Sequence, residues 1–81
     1  MELSEARELA GQYIKSNMTA PAGDEYEIVD SAVKETEEGW YFPYQTARYL
    51  KTRDLNYSVV GNWPIFVKKS GEVYGPKRPF G

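Results

Sequence analysis

Apolar residues near the start of the chain recur every three to four positions: Leu3, Ala6, Leu9, Ala10, Tyr13 and Ile14. Glu2, Glu5, Arg7, Glu8, Gln12 and Lys15 lie between them, the pattern of an amphipathic helix with one covered face. The spacing predicts a helix over residues 4–16, with Ser4 as N-cap and Glu5 and Glu8 near the positive end of its dipole. Asn17 is a stop signal, and Met18 is placed to tuck back into the core. Gly11 is a soft spot, because glycine inside a helix costs about 1 kcal/mol against alanine unless close packing requires it. Pro21 and Gly23 mark a loop over residues 19–24.

From Tyr26 the period shortens. Residues 26–36 have the β-branched content of a strand, with Ile28 facing inward and a later bulge letting Val33 point in as well. Thr36-Glu37-Glu38-Gly39 reads as a turn. Residues 40–50 then alternate, with Trp40, Phe42 and Tyr44 on one face and Tyr41, Pro43 and Gln45 on the other. Pro43 has no N–H to donate, so the strand is expected to be an edge there or locally bulged. Residues 51–58 are polar and loop-like, with Leu55 as an anchor. Residues 64–68 and 72–74 flank Lys69-Ser70-Gly71, a hairpin with Gly71 in the left-handed position. In the first of these strands Ile65 and Val67 share one face, opposite Pro64, Phe66 and Lys68. Residues 76–81 hold two prolines and no periodicity, an extended or mobile tail. The order predicts an α+β fold in a single domain spanning residues 1–81: an N-terminal helix packed on a three- to four-stranded antiparallel meander, in two layers.

Composition narrows the chemistry. The 81 residues include no Cys and no His, which removes disulfides, thiolate nucleophiles, Cys/His zinc sites and the usual general base near neutral pH. An enzyme is not expected, nor is a cofactor or a metal. The seven Tyr, three Phe and two Trp suit a chain too short to build a large aliphatic core. Trp40, Phe42 and Tyr44 therefore read first as core. Their other reading, a stacking platform beside Arg48, Lys51 and Arg53, conflicts with the acidic balance and the lack of any ribonucleoprotein-type motif, so nucleic acid is not an expected partner. Glu35, Glu37 and Glu38 lack the oxygen spacing of a cation loop and read as a solvated turn. No apolar run approaches the ~18 residues of a membrane span. Met1-Glu2-Leu3-Ser4-Glu5 does not resemble a leader, so a cytoplasmic location without membrane attachment is expected.

The charge is unevenly distributed. Residues 1–40 carry ten acids and three bases, or −7, whereas residues 41–81 carry seven bases and two acids, or +5. Either the halves neutralise one another across a sheet, or one face is polarised for a charged partner.

Two stretches carry a family resemblance: GWYFPYQTARYLKT and, after a short gap, VVGNWPIFVKKSGEVYG. The aromatic strand Trp40-Tyr41-Phe42-Pro43-Tyr44, the pair Tyr49-Leu50, Gly61-Asn62-Trp63-Pro64 and the hairpin end Ser70-Gly71-Glu72-Val73 resemble the immunity protein 35 family of bacterial polymorphic toxin systems. The likeness covers most of residues 3–75, including the N-terminal helix and the acidic strand after it. Family members usually continue past the hairpin, whereas this sequence stops at Gly81, which would leave apolar surface open to a partner or a second copy. Pro43 also stands where the family strand is normally aromatic or aliphatic. The resemblance implies a non-catalytic antitoxin that neutralises a cognate bacterial toxin by direct protein–protein binding, with no cofactor. The alternative is a small chaperone-like or self-associating binding protein, such as a homodimer, without a dedicated toxin.

Composition and expected exposure, rather than the family, suggest the contact surface. It comprises the loop from Arg48 to Trp63 and the nearby 37–41 turn. Arg48 and Arg53 would meet acidic groups, Tyr41, Tyr49, Tyr57 and Trp63 would supply aromatic area, and Glu37 and Glu38 would face a basic patch. For Trp63 two readings stand open, core burial and an exposed interface anchor.

Overall fold

The computed structural model describes residues 1–20, 23–57 (Tyr57 by its backbone alone) and 63–76. Helix α1 spans Leu3–Asn17 and buries Ala6, Ala10 and Ile14. Its N-cap is Glu2 rather than Ser4: the Glu5 carboxylate reaches back and accepts the Glu2 N–H at 3.3 Å. Starting two residues early carries Leu3 onto the rim, where it is 49% exposed. Met18 closes the helix by donating its N–H to the Ile14 carbonyl at 3.0 Å, and its side chain packs against the core. A Cβ at Gly11 would meet nothing within 4 Å, so no close packing requires the glycine. Gly11→Ala should therefore stabilise the protein by up to about 1 kcal/mol. Urea denaturation followed by circular dichroism checks this, and an unchanged or lower midpoint would refute it.

The segment expected as one strand over residues 26–36 is two strands, β1 (Tyr26–Ile28) and β2 (Lys34–Glu35), separated by a 3-10 turn at Asp30–Ala32. The next segment splits as well, into β3 (Gly39–Phe42) and β4 (Tyr44–Thr46). β2 pairs antiparallel with β3, through Lys34↔Tyr41 and Glu35↔Trp40. β1 pairs with β4, from Tyr26↔Thr46 to Ile28↔Tyr44. The four strands form one long bent hairpin in which residues 29–33 stand opposite residues 42–43. The 3-10 turn absorbs the surplus on one side, and Ile28 and Val33 both reach the core as the expected bulge required. Pro43 marks the bend on the other side: its carbonyl accepts the Val29 N–H at 2.9 Å. Pro43 does not make an edge. β3 lies inside the four-stranded sheet, and the proline is where the chain leaves it.

That sheet has the order β2-β3-β5-β6, with β5 at Ile65–Lys68 and β6 at Val73–Pro76. The β5–β6 hairpin turns through Gly71, whose φ of +100° is the left-handed value expected there. β6 takes in Gly75 and Pro76, while residues 77–81 of the expected tail lie outside the described residues. α1 packs on β1, β3, β5 and β6. The core between these layers is Ala6, Ala10 and Ile14 from the helix with Ile28, Trp40, Phe42, Tyr44, Ile65 and Val67 from the strands. The Trp40–Phe42–Tyr44 stripe is core, at 4%, 0% and 5% exposure.

The far face of the sheet is not merely solvated. Alternation places Tyr41, Phe66 and Tyr74 there, in register across β3, β5 and β6. The Phe66 ring lies 4.6 Å from Tyr41 and 6.2 Å from Tyr74, and Phe66 is only 1% exposed. The sheet thus has a small aromatic cluster behind it as well as the core in front.

Candidate functional site

Residues 40–50 were expected to continue as strand, yet the chain turns helical at Ala47. Helix α2 spans Ala47–Thr52. Its N-cap is the buried Thr46, whose Oγ1 accepts the Tyr49 N–H at 3.1 Å. The first free N–H groups are met from across the β1–β4 pair. Ala47 donates to the Glu25 carbonyl at 2.8 Å, and Arg48 to Asp24 Oδ1 at 3.3 Å.

The helix ends at Arg53 in a left-handed conformation, φ 59° and ψ 22°, with its N–H bonded to the Tyr49 carbonyl at 2.6 Å. Glycine is the usual residue at such a stop. The Arg53 guanidinium carbon lies 5.7 Å from the centre of the Tyr49 ring. Beyond it, Asp54 donates its N–H to Thr52 Oγ1 at 3.2 Å, and Asn56 donates to Asp54 Oδ1 at 3.0 Å. These bonds shape a second 3-10 turn at Leu55–Tyr57.

Part of the expected surface lies on α2, and part just before β5. Arg48 and Arg53 are exposed and Tyr49 is half-buried on α2. Trp63 stands before β5, on the side of Phe42 where the chain departs toward β4 and α2, and it is 50% exposed. Leu55, expected to anchor the loop inward, is instead 77% exposed. The local polar bonds of Thr52, Asp54 and Asn56 shape the turn on which it stands. The Tyr57 side chain, Gly61 and Asn62 lie outside the described residues. Lys51 and Leu55, both exposed, lie within the expected loop from Arg48 to Trp63 but were not singled out in it as contacts. Lys51 passed as loop polarity, and only the helical register of α2 shows it beside the others.

The other expected residues lie elsewhere. Glu37 and Glu38 are exposed in the β2–β3 turn, beside Lys69: the Glu38 carbonyl accepts the Lys69 N–H at 2.9 Å. Gly39 pairs with Lys68 and Phe42 with Ile65. The acidic turn and Trp63 are therefore at opposite ends of the sheet, about 10 Å apart along the strands for three residues of rise alone. Tyr41 belongs to the far face, against Phe66. The eight residues do not make one patch.

Electrostatics separates the two ends. At the acidic turn, Lys69 Nζ pairs with Glu35 at 3.0 Å, joining the acidic and basic halves of the sequence. On the preceding residue, the hydrogen bond with Tyr74, then the charges of Tyr74, Glu72 and Glu38, hold the Lys68 ammonium above its usual range. On α1, Arg7 grips Asp30 through a forked pair, Nε to Oδ1 at 2.6 Å and Nη2 to Oδ2 at 3.0 Å, and that hydrogen bonding lowers the Asp30 pKa. Both partners are exposed, so the pair contributes at most about 1 kcal/mol. At α2, by contrast, the exposed cations Arg48, Lys51 and Arg53 have Asp54 as the one acid within residues 47–57, while Asp24 across the β1–β4 pair meets the Arg48 N–H. Among the described residues no group of three His, Cys, Asp or Glu side chains could hold a metal ion, and no helix is long and apolar enough to cross a membrane.

The chain is similar to a known family over nearly its whole length. The family model described as Immunity protein 35 matches residues 4–77. No curated protein and no solved structure matches the chain.

Proposed function

The chain belongs to the immunity protein 35 family, and from that membership we propose that it is a non-catalytic antitoxin of a bacterial polymorphic toxin system. It neutralises a cognate toxin by binding it directly. The observation that carries this reading is the match over residues 4–77, which takes in α1 from its second residue and the six strands among the described residues. The geometry supports it with a surface suited to protein contact: the half-exposed Trp63, and α2 with Arg48, Tyr49 and Arg53. Tryptophan, tyrosine and arginine are the residue types enriched at interface hot spots.

This reading predicts a toxin gene beside this one, and the experiment is co-expression with that toxin. Growth should be rescued by the wild-type chain and lost with a chain that cannot bind. Replacing Trp63 and Arg53 together by alanine should weaken toxin binding by over ~2 kcal/mol, about thirtyfold in Kd. Calorimetry reads this directly. An intact fold with unaltered affinity would remove this patch from the interface. Suppression of aggregation of unrelated proteins, without rescue from any toxin, would instead favour a chaperone-like role.

A further inference from the structure

Resting on the immunity reading, we propose that Leu55 is the apolar anchor of the toxin-binding surface, flanked by the cations of α2. Its partner is then a protein patch that is acidic around an apolar socket. Three independent features point the same way. Leu55 is 77% exposed, more than any other large apolar side chain among the described residues. An exposed leucine alone is common, but this one stands on a turn shaped by the bonds of Asp54 and Asn56, so it is held out rather than left loose.

The second feature is the backbone of Arg53. A left-handed residue without glycine carries strain, and such strain persists where function requires the side chain. Glycine would end α2 without that strain. Arginine at this position places a guanidinium beside Tyr49 and two residues from Leu55.

The third feature is sign. The chain carries −2 overall, yet Lys51 and Arg53 are exposed next to Leu55 and Arg48 lies one turn earlier. Asp54 is the one acid within residues 47–57, and Asp24 lies on the Arg48 side, accepting its N–H, so the cations next to Leu55 are Lys51 and Arg53. A basic rim around an apolar centre is complementary to an acidic rim around a socket. Charged rims speed encounter, and the desolvated centre slows release. The division assigns a different kinetic step to each residue.

The test uses the full chain and the purified toxin domain encoded beside it, with association and dissociation measured separately across a salt series. Leu55→Ala should raise the dissociation rate by about tenfold or more and leave association nearly unaltered. Lys51→Glu with Arg53→Glu should lower association by about tenfold at low salt and flatten its salt dependence. Arg53→Gly should raise the Tm while slowing association, a pair of opposite changes that a merely structural arginine would not give.

Equal dissociation rates for wild type and Leu55→Ala overturn the proposal, as does association that quickens with added salt. A wild-type dimer that Leu55→Ala converts to a monomer in sedimentation would assign this face to a second copy and overturn it as well. If the wild-type chain neither rescues growth nor binds, the immunity reading fails and this proposal fails with it. If the wild type binds and the variants bind equally, only this proposal fails.

Discussion

Alanine in place of Gly39 is expected to cost more than about 3 kcal/mol and to leave much of the protein unfolded at physiological temperature. The added Cβ would overlap the Val67 carbonyl oxygen and approach Lys68 Cα at 2.8 Å. Both obstacles are backbone, so no side chain can rotate away. Relief requires β3 and β5 to separate where Gly39 pairs with Lys68, next to the buried Trp40–Val67 pair. The turn adds to the penalty, because Gly39 donates to Thr36 Oγ1 at 3.2 Å while its carbonyl accepts the Thr36 N–H at 2.7 Å. A chain of 81 residues has about 4–12 kcal/mol of stability in total, so losing a quarter or more is severe. Urea melts followed by tryptophan fluorescence measure the loss. A change below about 1 kcal/mol would mean that β3 and β5 do not approach as closely as described. Gly11→Ala is the control: the same chemical change, made where a Cβ meets nothing, should have the opposite sign.

The second large effect is expected at Phe66. Strand alternation alone places it on the face away from the helix, where truncation would cost little. Yet it is 1% exposed, with Tyr41 and Tyr74 on either side. Phe66→Ala should therefore cost about 3–5 kcal/mol, as much as Phe42→Ala in the main core. Part of this is lost ring–ring contact, since each such pair adds about 0.5–1.5 kcal/mol beyond burial. Denaturant melts of the two variants side by side decide the matter. A Phe66→Ala penalty under about 1 kcal/mol, with Phe42→Ala near 4, would show that the rear aromatic cluster contributes little to stability.

These two residues also show where sequence reasoning succeeds and where it stops. α1, the β5–β6 hairpin and the inward stripe of Trp40, Phe42 and Tyr44 follow from periodicity, because amphipathic spacing records which side is covered. α2 does not. The residues Thr46-Ala47-Arg48-Tyr49 continue a strand-like alternation, and the capping box that would announce a helix lacks its acid at Tyr49. Leu55 misleads for a similar reason: an apolar residue in a polar stretch is read as an anchor, although its side chain is 77% exposed on a turn shaped by local polar bonds. Phe66 is correctly placed on its face, but alternation says nothing about neighbours in adjacent strands.

The candidate surface has the same limit. Residue types marked Arg48, Tyr49, Arg53 and Trp63 as contact chemistry, and three of these share α2 or its cap. Glu37 and Glu38 were grouped with the loop from Arg48 to Trp63 as part of a nearby 37–41 turn. Strand register separates them from Trp63, and register depends on pairing partners that composition cannot name.

The two borders of the four-stranded sheet bear on how the protein fares before any partner arrives. An unpaired border is a template on which another chain can lay its own strand, the first step of aggregation. Here β2 presents only Lys34 and Glu35, both charged and exposed, which is too short to hold a guest strand. The other border, β6, ends in Pro76, which has no N–H to offer. A small chain that accumulates on its own must do so without seeding fibrils of itself, and these blunted margins resist that growth.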